Sequence, residues 1–374
     1  LDVVKPRRRP VFRLLGCPAA GVVLLLPLAL WPEKLVRSFG GTIRGERLDR
    51  LRRSPHWRDG KFLNPVPSHT MKPDALGETL RRQFFGDEKR VPDQPIPIVP
   101  LTKAELTKPE EGLRATWMGH STVLVDIDGM RVLTDPIWSE RCSPFQWAGP
   151  KRFFPAPAAL SDVEGVDAVV ISHDHYDHLD MATVIALARA GAHIVVPLGI
   201  GAHLERWNIP QSQFTELDWG EQKRIGALTF TSIRGRHFSG RGLRHGDATQ
   251  WASWSIAGSA HRVFYSGDTG WFDGMIDQGV RYGPFDLTLI KIGAYGETWP
   301  DIHVNPEQAV QLHKAMRGNV LLPVHWATFN LAYHDWWEPG DRIVAASQGI
   351  TLTTPRPGEM VDLAKELPAS RWWR

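Results

Sequence analysis

Cysteine is scarce in this chain, with 2 in 374 residues, at Cys17 and Cys142. Cys17 lies in an apolar leading segment, so a disulfide with Cys142 is not expected, and a thiolate zinc site is excluded. Any transition metal must therefore be held by nitrogen and oxygen donors, a set that suits Zn²⁺ and also accepts iron or manganese. A strong charge imbalance is missing too: 44 Lys/Arg stand against 41 Asp/Glu, a net +3. The balance hides an asymmetry, because residues 1–61 hold 14 basic and 5 acidic side chains, leaving the rest of the chain at −6. An acidic body argues against a nucleic-acid groove, so no nucleic-acid partner is expected, and the basic leading part suits a membrane surface better. Long apolar runs are lacking, and the one at residues 17–31 is short for a full span. No Ser/Gly-rich linker and no internal repeat divides the chain.

What is present is ample core material, 42% hydrophobic, in strand-like and helix-like segments that alternate from about 113 to 353. That pattern predicts one α/β layered domain over 111–374, preceded by an extension at 41–110 that packs on it and by a basic and apolar segment at 1–40. In that first segment Lys5, Arg7, Arg8, Arg9 and Arg13 precede the apolar run Cys17–Trp31. Three readings stay open: a cleaved signal, a retained membrane anchor with the protein on the exported side, and a soluble helix packed on the domain. A lipoprotein acceptor at Leu14-Leu15-Gly16-Cys17 is discounted, because the apolar run follows the cysteine instead of preceding it.

The most informative stretch is Ser-His-Asp-His-Tyr-Asp-His-Leu-Asp at 172–180. It follows an apolar strand-like run, Val166–Ile171, and precedes a helix-like run, Met181–Ala190, so it sits on a strand-to-helix turn. In an extended segment His173 and His175 share a side, while the turn can carry Asp177 and His178 to a second point nearby. Two adjacent metals fit that arrangement, and then about three further ligands are needed from other strand ends. The sequence offers them: 228–233 leads to His237, 262–266 leads to Asp268, and 319–324 leads to His325.

His173-Asp174-His175-Tyr176-Asp177-His178 resembles the HxHxDH signature of the metallo-β-lactamase superfamily, with His237, Asp268 and His325 in that superfamily's order. Trp117–Thr122, Leu133–Pro136, Gly149–Arg152, Gly267–Gly270, Ile292–Tyr295 and Val324–Phe329 resemble its N-acyl-phosphatidylethanolamine phospholipase D branch. The resemblance runs from about residue 55 to about residue 340. It implies a four-layer αββα sandwich and two Zn²⁺ ions, one on His173, His175 and His237, the other on Asp177, His178 and His325, with Asp268 bridging. It further implies a functional histidine at His303, in His-Val-Asn-Pro-Glu, touching the substrate phosphate or leaving group. Asp135 is expected to orient a ligand imidazole, and His120 to fix the turn beneath the site. The loop carrying Gln146 and Trp147 is expected to help form a lipid entrance, although the family commonly has a phenol where this chain has Trp147. Tyr295 is expected beside the substrate, and a homodimer is compatible with the resemblance.

The reading that follows is a dinuclear zinc phosphodiesterase of phospholipase D type, a membrane-associated hydrolase acting on a phospholipid. The alternatives are a metal-dependent lactonase, since the same centre attacks carbonyls, and a non-catalytic metal-binding membrane scaffold.

Overall fold

The computed structural model describes residues 33–242 and 246–374; the tail before residue 33, and with it the signal and anchor readings, lies outside the described residues. The leading part holds helices α1 (Glu33–Ser38) and α2 (Gly45–Arg53), the hairpin of β1 (Trp57–Arg58) with β2 (Lys61–Phe62), and helix α3 (Leu76–Phe85).

Two seven-stranded sheets follow. The first is built from β3 (Leu113–Gly119), β4 (Thr122–Ile127), β5 (Met130–Thr134) and β6 (Ala168–Val170), then, after helix α4 (Met181–Arg189), β7 (His193–Pro197), and after helix α5 (Gly201–Arg206), β8 (Phe214–Leu217). The second holds β9 (Gln222–Ile225), β10 (Leu228–Ile233), β11 (Ser253–Ala257) and β12 (Arg262–Tyr265). It continues past helix α6 (Gly274–Tyr282) with β13 (Phe285–Lys291), past α7 (Pro306–Ala315) with β14 (Gly318–Val324), and past α8 (Glu338–Ala346) with β15 (Thr351–Leu352). Finally β16 (Met360–Asp362) returns to the first sheet beside β3. Each sheet is half antiparallel and half parallel: β5 through β8 run parallel in one, β12 through β15 in the other.

The strand pleat sorts side chains into the layers. Along β4, Val123, Val125 and Ile127 enter the core shared with second-sheet Phe230 and Trp254, while Leu124 joins the opposite cluster. Likewise Val170 faces inward and Val169 outward, where it meets Val184 and Leu187 of α4. Fully burying one such side chain is worth about 1.5–3 kcal/mol. Helices α4 and α7 start where their caps dictate. The Asp180 carboxylate accepts from the Ala182 N–H, and Asn305 and Gln308 form a reciprocal capping box ahead of Pro306.

The leading part is fastened to the domain from residue 37 on. Trp207 Nε1 donates to Arg37 O at 2.8 Å, Arg241 Nε to Ser38 O at 2.9 Å, and the Gly41 N–H to His203 Nδ1 at 2.9 Å. The boundary expected at residue 40 therefore falls inside a packed segment. Arg241 also donates to the carbonyls of Asp174 and Leu179, both at 2.8 Å, so the same residue grips the histidine-rich loop.

Candidate metal centre

Neighbouring strand ends converge on one point. β6 leads into His173–His178, β10 into His237, β12 into Asp268, β14 into His325, β5 into Asp135 and β3 into His120. Gly267 makes one close approach possible: it sits at φ +54, and a Cβ there would come within 2.5 Å of the Ser172 Cβ.

The structure brings all seven sequence-derived ligands together in two groups. Donor atoms of His173, His175 and His237 cluster on one side, and those of Asp177, His178 and His325, joined by His120, on the other. Asp268 stands between them, with Oδ2 at 3.9 Å from His237 Nε2, 3.4 Å from His178 Nε2 and 3.0 Å from His325 Nε2.

Outer partners fix which nitrogen faces inward for two of the rings. His178 Nδ1 donates to Asp135 at 2.6 Å, and His237 Nδ1 donates to the carbonyl of Ile302 at 3.0 Å, leaving both Nε2 atoms toward the centre. Asp135 is fully buried and also accepts from the Ser172 N–H at 2.7 Å and from the Tyr265 hydroxyl. Asn64 brackets His237 from outside: its amide donates to His237 O at 2.7 Å, and its carbonyl accepts the His237 N–H at 2.9 Å.

Buried polar atoms that make no hydrogen bond test whether a cation fits. His178 Nε2, His237 Nε2, His325 Nε2 and Asp268 Oδ1 are such atoms, and all belong to this cluster. An unpaired buried acceptor costs about 1–3 kcal/mol, so their convergence is explained by ligation. Charge agrees. Burial holds His173 and His237 well below the ordinary imidazole range, as ligands require. Burial would also raise Asp268, but the imidazoles of His325, His178 and His303 hold it well below the carboxylate range. For His178, burial is outweighed by Asp268, Asp177 and Asp135, which raise it far above the imidazole range; the surroundings of that nitrogen call for positive charge.

His303 lies on the rim. Its Nδ1 donates to Ala294 O at 2.6 Å, which aims Nε2 at Asp268 Oδ2, 3.2 Å away. Burial and Lys291 hold its pKa down at about 4, so the ring is neutral at pH 7, with Nδ1 carrying the proton and Nε2 bare. His120 does more than fix its turn. At φ +52 its carbonyl accepts the His325 N–H at 2.8 Å, and its ring Nε2 reaches Asp177 at 3.0 Å. Tyr295 donates to Glu338 at 2.7 Å and lines a cavity of about 340 Å³ with His303, Arg82, Trp299, Tyr333 and Arg342. Gln146 and Trp147 do not line that cavity. Gln146 bonds within its own loop, to the carbonyls of Arg141 and Ser143, and Trp147 is 58% exposed beside Phe145. Arg152 of the Gly149–Arg152 motif is buried and donates to the carbonyls of Ile137, Met118 and Phe154, so its work is to hold the loop against β3.

A family model described as the beta-lactamase superfamily domain matches residues 130–326. The chain belongs to this family. Its αββα layering and paired mixed sheets are those of the metallo-β-lactamase fold. Among relatives, the chain is 45% identical over 331 residues to an uncharacterized protein of Mycobacterium tuberculosis, covering 86% of this chain and 88% of that one. It is 37% identical over 282 residues to N-acyl-phosphatidylethanolamine-hydrolyzing phospholipase D 1 of Caenorhabditis elegans, covering 72% and 79%. Among solved structures, the metallo hydrolase Igni18 of Ignicoccus hospitalis matches with TM-score 0.51 at 25% identity, over 67% of this chain and 97% of that one. The isothiocyanate hydrolase from Delia radicum gut bacteria shares the fold, with TM-score 0.54 at 19% identity over 66% of this chain and 98% of that one. The chain is thus a metal-dependent hydrolase of the metallo-β-lactamase fold, related to the N-acyl-phosphatidylethanolamine phospholipases D.

Proposed function

We propose that the chain is a phosphodiesterase of phospholipase D type, cleaving N-acyl-phosphatidylethanolamine to N-acylethanolamine and phosphatidic acid at a centre of two Zn²⁺ ions. The observation that carries this reading is the placement of Asp268, shared between two donor groups, with the Nε2 of His303 beside it. His173, His175 and His237 would hold one ion, and Asp177, His178 and His325 the other. Metals held there would supply an activated water at neutral pH and positive charge for a phosphoryl oxygen.

The chain's own residues supply the remaining work. Asp135 and Ile302 keep the rings of His178 and His237 from turning, the Ser172 N–H braces Asp135, and Asn64 anchors the His237 backbone. His303 Nε2, neutral and fixed through Nδ1, takes a proton from the attacking water and returns it to the departing alcohol oxygen as the P–O bond breaks. The cavity beside it has aromatic and paired charged walls, a place for the polar part of the diester and not for long acyl chains.

Helix α3 supports a lipid surface as the site of action. Arg82 lines the cavity, while Leu76, Leu80, Phe84 and Phe85 of the same helix are 48–76% exposed. Leu76, Leu80 and Phe84 recur at four-residue spacing and form one apolar stripe, as on helices that lie in a membrane interface. Among the described residues no helix is long and apolar enough to cross a membrane, so α3 would lie on the surface. Purified metal-loaded protein, offered N-acyl-phosphatidylethanolamine and an acyl-homoserine lactone in parallel, should release phosphatidic acid and leave the lactone intact; the opposite result establishes the lactonase.

A further inference from the structure

Lys291 ends β13 and is fully buried, yet none of the assigned ligands uses it. An ammonium that deep is costly to bury, and it finds little compensation: Nζ donates to the carbonyl of Gly293 at 2.7 Å, the one acceptor it meets among the described residues. Burial brings its pKa down to about 8, against the pull of Asp268 and Asp177.

The carbonyl it holds opens an unusual turn. Gly293 has no room for a side chain, since a Cβ would stand 2.3 Å from the carbonyl oxygen of His325. Ala294 follows at φ +57, a left-handed conformation that is costly for a non-glycine residue. The surroundings secure it from each side. The Ala294 N–H donates to His334 Nε2 at 3.1 Å, and its carbonyl accepts from Trp299 Nε1 at 3.0 Å and from His303 Nδ1 at 2.6 Å. A continuous path therefore runs from the Lys291 ammonium, through Gly293 and Ala294, to the ring that faces Asp268.

We propose that Lys291 is a positioning residue, whose ammonium locks the Gly293–Ala294 turn so that the Ala294 carbonyl holds His303 toward the reacting phosphodiester. The proposal rests on the phosphodiesterase reading for its chemistry, but the positioning of His303 is measurable without turnover. A reacting group displaced by a fraction of an ångström loses rate with little loss of binding. Removing the lock should therefore act on kcat, leave KM, and have no effect once His303 is gone.

The experiment compares wild type, Lys291→Met, His303→Ala and the double variant, each metal-loaded, on bis-p-nitrophenyl phosphate. Lys291→Met should lower kcat roughly 10- to 100-fold with KM within about twofold and metal content unchanged, and the double variant should be no slower than His303→Ala alone. Independently of activity, the hydrogen-bonded Nδ1–H of His303 should give a low-field proton resonance, assigned by its loss in His303→Ala, that is absent or broadened in Lys291→Met. Multiplied losses in the double variant, a KM effect with kcat intact, or an unchanged resonance would each overturn the proposal. If the methionine variant does not fold, Lys291→Gln carries the same comparison. If no variant or wild type hydrolyses the diester, the phosphodiesterase reading fails, and the resonance alone decides the positioning.

Discussion

The carboxylate of Asp268 lies 3.0 Å from Nε2 of His325, although the two residues come from different strands, at the ends of β12 and β14. Because the same oxygen is also 3.9 Å from His237 Nε2, on the other donor group, one substitution reaches both halves of the centre. Asp268→Asn should thus lower metal content more than His173→Ala or His325→Ala does. Metal analysis of the three purified variants checks this; an Asp268→Asn protein with full metal and full activity would remove the bridging role.

His303 is held by a backbone carbonyl, and on the proposed mechanism it moves a proton and does not ligate. His303→Ala is expected to keep its metal while turnover falls by roughly one to three orders of magnitude. Metal analysis beside the rate separates the two roles, since loss of metal would make His303 a ligand.

A pH dependence of stability follows from His313, which lies outside the centre. On α7 it is buried against β13, bonded to Thr288 at 2.8 Å, and burial with Lys314 lowers its pKa from 6.5 to about 4. The folded pKa is the lower one, so the unfolded chain takes the proton first as pH falls. The resulting stability is complete above pH 6.5 and is lost between 6.5 and 4. Denaturant melts of His313→Leu across that window should show a shallower pH slope than wild type, by about one proton. An unchanged slope would mean that His313 does not titrate there.

The apolar stripe on α3 should separate lipid delivery from bond cleavage. Leu80→Ser with Phe84→Ser is expected to weaken sedimentation with phospholipid vesicles and slow hydrolysis of vesicle-borne substrate, while a small soluble diester is cleaved within about twofold of wild type. Equal sedimentation of variant and wild type would place the lipid contact elsewhere.

Much of the centre was readable from sequence because its chemistry is local. His173, His175, Asp177 and His178 fall within six residues of one turn, and His237, Asp268 and His325 each follow an apolar run that does form a strand. The expected strand at 228–233 has those bounds in the structure, and the helix expected at 181–190 runs Met181–Arg189. What sequence did not reveal depends on distant segments. Asn64 meets His237 across 173 positions, with no pattern around it to signal the contact. Nothing in the sequence marks Lys291 as buried, and only the fold brings the His120 ring to Asp177. The loop of Gln146 and Trp147 shows the converse, since its aromatic and proline-rich composition says nothing about the direction its side chains take.

The most direct test of the phosphodiesterase is to hydrolyse N-acyl-phosphatidylethanolamine in ¹⁸O-labelled water with the metal-loaded protein and weigh both products. Attack at phosphorus by the water held at the Asp268 centre places one ¹⁸O in phosphatidic acid and none in N-acylethanolamine. Label in the N-acylethanolamine, or a failure to form phosphatidic acid while lactones are opened, would contradict it.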